Sequence, residues 1–433
     1  FNYVFDPVVS AGLTSGEIEE SAIIVDEAHN LADRARDNFS AELRRSILLS
    51  LSGLLKRKRR FHNLRKKAEE SFLVNFRPEE NPQGLDPQLL LSVRDLVLEI
   101  EKILLREGSL ERKVRETLFE AWCELSHFLE TAACPGPEYQ LLYQPEGEKE
   151  ISPVSSIKLF CMDPSRQLGK ILDCCHSAIF LSGTLQPMEY YRQLNGCHGD
   201  AAFLNLPSPY PSGNLCTMIY PSLSTRYLDR ERSLDDLVEV LADFISSRKG
   251  NYLVFFPSYA YLEMAASRMD SAGIRALLPE ELEICRQLPG MKDGDRAEFL
   301  ARFSIDNPST LVGMAVMGGV FGEGIDLVGD RLTGVAVIGV GLPSISEERD
   351  CIRRYFEERG EDGFTYSYLV PGMTRVLQAA GRVIRSETDR GVILLIDDRF
   401  RSRSYRALFP SYWKPVSAGN RAGLRRILEN FWK

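Results

Sequence analysis

Two adjacent carboxylates close a short apolar run: Ser21-Ala-Ile-Ile-Val25 leads into Asp26-Glu27-Ala28-His29. A β-branched run of this length reads as a buried parallel strand, which puts the acids at its carboxyl end. Such a pair suits a magnesium–nucleotide site. Asp26 would hold Mg²⁺ through water, because that hard ion keeps part of its aqueous shell. Glu27 would orient or deprotonate an attacking water. The competing explanation is a solvated acidic helix start, where carboxylates are favoured anyway. A second group is Gln378-Ala-Ala-Gly-Arg382-Val-Ile-Arg385. On a helix, Gln378, Arg382 and Arg385 would share one face and comb phosphates, with Val383 and Ile384 buried opposite. An arginine aimed at a transferring γ-phosphoryl group is worth roughly 10³–10⁵ in turnover. A third group is Gly318-Gly319-Val-Phe-Gly322-Glu323-Gly324-Ile325-Asp326. Glycines there permit positive φ and close backbone contact with a nucleotide or a nucleic acid. The dinucleotide spacing G-x-G-x-x-G is absent, and the run alone reads equally as an ordinary turn.

Strands must deliver these groups. Apolar runs predict strands at 21–25, 178–181, 252–256, 311–316, 334–340 and 391–396, with helices over 234–248 and 260–272. Strands alternating with helices predict α/β layers on parallel sheets. The stretch from 33 to about 150 departs from this pattern. Asp86-Pro87 looks like a cap followed by proline at the first helical position. Val93, Leu96, Val97, Ile100, Ile103 and Leu104 then recur at helical spacing, Gly108 offers a stop, and a second helix is predicted over 110–131. This block reads as a helical insertion, with 131–150 as its return loop. The turn-rich Leu206-Pro-Ser-Pro-Tyr-Pro-Ser-Gly213 marks a boundary.

The 433 residues are 44% apolar and 26% charged, as in ordinary globular proteins, which excludes wholesale disorder. No apolar stretch reaches the ~20 residues a bilayer needs. The net charge of −8 (53 basic against 61 acidic residues) argues against a general nucleic-acid sponge, so local clusters matter more. The densest is Lys56-Arg57-Lys58-Arg59-Arg60, which could track a phosphate backbone or be a solvated face. Nine cysteines without a C-x-x-C pair read as reduced thiols, and give no support for zinc or an iron–sulfur cluster within the chain. Phe256 ends an apolar strand and belongs to a core, so Tyr259 is the better base-stacking candidate. Trp122 with Phe119 and Phe128 reads as helix packing.

Together these groups resemble the superfamily 2 DNA helicases of the XPD/DinG group. Asp26-Glu27-Ala28-His29 is similar to that family's Walker B box. Leu181-Ser182-Gly183-Thr184-Leu185 with Pro187 is similar to its third motif, and Val254-Phe-Phe-Pro-Ser258-Tyr259 to its fourth. Phe321-Gly322-Glu323-Gly324-Ile325-Asp326 resembles the fifth, Gln378 to Arg385 the sixth, and Asp397-Asp398-Arg399-Phe400 the stretch beyond. Asn2-Tyr3 with Asp6-Pro7 resembles the lead-in to the Walker B box.

The resemblance implies an α/β fold of two RecA-like motor domains with parallel sheets. The first, truncated, would comprise 1–32 and 153–205, the second 206–433, and 33–152 would be a helical insertion like the family's Arch domain. ATP and Mg²⁺ are the implied cofactors. Catalysis would fall to Asp26, Glu27, His29, Gln378, Arg382 and Arg385, with Asp26 facing the metal. Gly322, Glu323, Gly324 and Asp326 would lie at the nucleotide. Ser182, Gly183 and Thr184 would couple nucleotide state to nucleic acid, which Ser258, Tyr259 and Lys56 to Arg60 would touch. The implied activity is ATP-dependent, 5′ to 3′ movement on single-stranded DNA in repair or replication. Forked or duplex DNA would be a further substrate. The protein would be monomeric, away from membranes, in a prokaryotic cytoplasm or a eukaryotic nucleus. The chain departs from the family in having no G-x-x-x-x-G-K-[ST] phosphate loop and no four-cysteine iron–sulfur segment. Both would precede Phe1, so the chain alone is expected not to turn over ATP, and a cluster is possible only upstream. The rival readings are an inactive motor remnant that binds DNA or a partner, and an RNA helicase of the D-E-A-H type.

Overall fold

The computed structural model describes residues 2–5, 20–74, 84–106, 110–133, 136–145, 154–319, 321, 327 and 329–433. The chain divides into two compact units: 1–201 with 350–361, and 202–349 with 362–433. It therefore enters the second unit after Ala201, returns to the first at Asp350 and leaves it again at Asp362.

The first unit holds β1 (Ala22–Val25), β2 (Ala41–Arg44), β3 (Tyr139–Pro145), β4 (Val154–Cys161) and β5 (Ser177–Phe180). β1 and β5 pair in parallel with Ile24 opposite Ile179. Ile23, Val25 and Phe180 pack against Phe5, Leu31, Ala35, Phe39, Cys161 and Leu168. β4 pairs antiparallel with both β2 and β3. Helices Arg59–Val74, Pro87–Arg106 and Arg112–Ala132 fold onto this second sheet. The cap read from Asp86 is formed: its Oδ1 accepts the Gln88 N–H at 2.8 Å. Val93, Leu96, Val97, Ile100 and Ile103 are buried as their spacing predicts. The insertion is not wholly helical, however. Strand β3 occupies the predicted return loop, because Leu141 and Tyr143, two residues apart, both pack on the insertion core. The helix Glu347–Glu357, reached by the chain's return, has Cys351, Ile352, Tyr355 and Phe356 buried. Its Tyr355 hydroxyl lies 3.3 Å from Asp163 Oδ2.

The second unit is built on β6 (Leu215–Tyr220), β7 (Asn251–Phe256), β8 (Leu282–Arg286), β9 (Thr310–Val316), β10 (Gly334–Ile338), β11 (Gly391–Ile396) and β12 (Val416–Ser417). Their order is β12-β6-β11-β10-β7-β9-β8, parallel throughout. Every residue of β7, β10 and β11 is buried, the pattern of strands covered on both faces. Helices Leu234–Ile245, Tyr259–Met269 and Arg421–Trp432 cover one face over Val254, Val312, Ala336 and Leu394. Helix Val370–Ala380 packs on β10. A parallel sheet covered in this way presents its loops, and hence its binding groups, at the carboxyl ends of the strands.

Candidate functional site

In the first unit the parallel pairing continues beyond the strands. Leu181 N–H donates to Val25 C=O at 2.8 Å, and Ala28 N–H donates to Leu181 C=O at 2.9 Å. The two segments 26–29 and 181–184 are thereby held side by side. Glu27 takes a left-handed conformation, φ 49° and ψ 42°, which a non-glycine residue adopts rarely and at a cost. Its N–H donates to Asp26 Oδ1 at 2.8 Å. This turn leaves the Glu27 carboxylate exposed while Ala28 and His29 go inward. His29 Nδ1 lies 2.7 Å from Ser182 Oγ and 3.3 Å from Glu27 Oε2. The same Ser182 Oγ accepts the Thr184 N–H at 3.1 Å and sits 3.3 Å from Thr184 Oγ1. One buried imidazole thus touches both the acidic box and the Ser182–Thr184 turn. A Cβ added to Gly183 would meet open space, so packing does not demand a glycine there.

In the second unit the candidate groups divide between the two edges of the sheet: Ser258 and Gly318 follow the carboxyl ends of β7 and β9, whereas Arg382 and Arg385 precede β11 at its amino end. Gln378 lies on the helix Val370–Ala380. Arg382 and Arg385 do not. The helix closes at Gly381, whose N–H reaches Leu377 C=O at 2.8 Å. The shared helical face expected for Gln378, Arg382 and Arg385 is therefore not formed. The local cause is side-chain anchoring that a helix would not satisfy. Val383 is buried beside Gly391, and Asp389 draws in the N–H groups of Arg385 and Ser386 at 2.7 and 2.9 Å. Ile384 is half-buried. The residue that does share the helical face with Gln378 is Arg375, three positions earlier. Its side chain lies against Gly318, which has φ 72° and whose added Cβ would come within 3.1 Å of Arg375 Cδ and Nε. An R-x-x-Q spacing was the available signal for it.

The helix seats on the sheet edge through glycines. A Cβ on Gly372 would fall 2.8 Å from Val340 C=O and 3.1 Å from Leu342 Cα. Gly341, with φ 65°, approaches Gly372 C=O as closely. Beyond β11, Asp397 is fully buried and accepts Arg399 N–H at 2.9 Å and Arg399 Nε at 2.7 Å. It also accepts the Thr225 hydroxyl. Burial alone would raise its carboxyl, but the Arg399 guanidinium and the Thr225 hydroxyl outweigh that and hold it below the usual carboxylate range.

The remaining predicted residues fall as follows. Gly322, Glu323, Gly324 and Asp326 lie outside the described residues, as do Asp6 and Pro7. Ser258 caps helix Tyr259–Met269, its hydroxyl accepting the Tyr261 N–H. Tyr259 is half-buried, its hydroxyl accepting Gln287 Nε2 at 3.0 Å, and Phe256 is core. Lys56 to Arg60 are all exposed, and Arg60 pairs with Glu99 at 3.2 Å. Trp122 stacks on the exposed Phe119, and Phe128 is buried. No group of three or more metal-ligating side chains occurs among the described residues. No described helix is long and apolar enough to cross a membrane.

A model of the helicase C-terminal domain matches residues 241–416, and the DEAD_2 model matches residues 1–48. The chain is 27% identical over 310 residues to the ATP-dependent DNA helicase chl1 of Schizosaccharomyces pombe, covering 67% of this chain and 36% of that protein. It is 26% identical over 289 residues to the XPD helicase subunit of general transcription and DNA repair factor IIH from the same yeast, covering 63% of this chain and 36% of that one. The chain thus spans about a third of the length of these curated relatives. A solved structure titled XPD_APO matches with a TM-score of 0.58 at 18% identity, over 96% of this chain and 80% of that one. By its matched domains and its relatives the chain is similar to the XPD/DinG-like superfamily 2 helicases, and it shares the α/β fold of the XPD structure.

Proposed function

We propose that this chain works within an ATP-dependent DNA helicase that moves 5′ to 3′ on single-stranded DNA and opens forked or duplex DNA in repair or replication. The observation that carries the reading is the buried His29, bonded to Ser182 beside the Asp26–Glu27 turn. A nucleotide-dependent shift of Glu27 would be felt at Ser182 and Thr184 through one imidazole. Asp26 and Glu27 are exposed carboxylates at the end of a strand, and no full ligand set surrounds them among the described residues. That fits Mg²⁺, which is commonly held by one or two carboxylates and water. Asp26 would hold the ion, which when bound would neutralise charge on the ATP phosphates. Glu27 would orient the attacking water and take its proton. Arg382 and Arg385 would stabilise charge developing on the transferred phosphoryl group, and Gln378 would help place the water. Gly322, Glu323, Gly324 and Asp326 would line the nucleotide. Ser258, Tyr259 and Lys56 to Arg60 would meet the DNA strand. The domain boundaries at 32/33, 152/153 and 205/206 and the monomeric state belong to the same reading.

The sequence contains no G-x-x-x-x-G-K-[ST], so the 433 residues alone should not turn over ATP. In the full-length protein, single-stranded DNA should stimulate turnover, and Glu27→Gln should lower kcat by about 10²-fold or more. Stimulation by RNA alone would replace this reading with an RNA helicase. Robust turnover by the isolated 433 residues would overturn the division of labour.

A further inference from the structure

The turn bearing Arg385 is gripped at both backbone polar groups of that residue. On one side, Asp389, only 4% exposed, accepts Arg385 N–H at 2.7 Å and Ser386 N–H at 2.9 Å. It also accepts the Ser386 hydroxyl. On the other side, the Tyr210 hydroxyl donates to Arg385 C=O at 3.0 Å. Asn214 Nδ2 reinforces this with a bond to Glu387 C=O at 3.0 Å. Asp389 reaches further, accepting Gly329 N–H at 3.2 Å, just beyond the glycine-rich run.

Tyr210 is presented stiffly. Pro209 precedes it and Pro211 follows it. A proline fixes its own φ and confines the residue before it to extended conformations. The hydroxyl therefore has little backbone freedom to lose when it bonds. Because the helix stops before Arg382, no helical ladder orients Arg385. Its two backbone bonds, one to Asp389 four residues on and one to Tyr210 far back in the sequence, do so instead.

We propose that Tyr210 and Asp389 are positioning residues that set the direction of Arg385 toward the phosphoryl group. This rests on the reading of Arg385 given above. A misplacement of about 1 Å at such a group costs on the order of 10²-fold in rate, so loss of one of two anchors should be measurable.

The test is steady-state ATP turnover of the full-length protein on single-stranded DNA. Arg385→Ala should lower kcat by roughly 10³-fold. Tyr210→Phe, which removes only the hydroxyl, should lower kcat about tenfold with KM for ATP within about twofold. Its melting temperature should be unchanged. Asp389→Asn should lower kcat at least as much and speed amide exchange at Arg385. Adding Tyr210→Phe to Arg385→Ala should cause no further loss, since residues acting through one group are not additive. Wild-type kcat in Tyr210→Phe, or an additive loss in the double variant, would overturn the proposal while leaving the nucleotide reading intact. Unchanged turnover in Arg385→Ala would sink the nucleotide reading, and this one with it. Should Asp389→Asn fail to fold, Tyr210→Phe and the double variant decide.

Discussion

Asp397 has no exposed surface, yet it stays ionised because Arg399 and Thr225 surround it with donors. Its carboxyl is held below the ordinary value, about 3.9 for an unfolded chain. A depressed carboxyl contributes stability that is fully present above the unfolded value. That contribution is lost as pH falls through the folded one. Asp397→Asn should therefore melt lower than wild type at pH 7, and the gap should narrow as the pH falls below about 4. A gap of constant size across that range would show that other groups carry the acid sensitivity. His29 is the other residue whose surroundings explain it. The sequence gave it a place in the acidic box but did not name Ser182, 153 residues away, as its partner, because that contact exists only once β1 and β5 are paired.

At the scale of elements, the helix Val370–Ala380 depends on backbone-to-backbone packing at Gly341 and Gly372. Alanine is the better helix former by about 1 kcal/mol. Against that, a Cβ at 372 would press on Val340 C=O and Leu342 Cα, which cannot rotate away. Gly372→Ala should destabilise by about 1–2 kcal/mol net, read as a lower melting temperature. A rise instead would mean that the helix does not sit this close. The strands were legible because runs such as Gly391–Ile396 are apolar at every position, the mark of a doubly covered sheet. The end of this helix was not legible. Gln378, Arg382 and Arg385 keep helical spacing in the sequence, and nothing local reveals that Asp389 will claim the Arg385 N–H. Strand β3 was hidden for a similar reason: proline, glycine and glutamate flank its short alternation and mask it. Within the site, the acid pair and its strand could be read from residue types alone. Arg375 was passed over because its role depends on Gly318, distant in sequence.

On the scale of the whole molecule, a chain of net charge −8 concentrates positive charge at Lys56 to Arg60, all exposed. Neutralising these five should weaken single-stranded DNA binding and flatten its salt dependence by about one unit for each phosphate that the protein no longer neutralises. Binding that is unchanged in both respects would mark the run as a solvated face. The path of the chain has a separate consequence. Residues 350–361 fold with the first unit although both flanks belong to the second. Neither unit is therefore a contiguous stretch that can be expressed by itself. A cut after Ala201 would part Tyr355 from Asp163 and leave the downstream piece carrying a helix that folds with the upstream one. Each half made alone would lack part of a folded unit, whereas a chain nicked after Ala201 would still hold both parts of the first one.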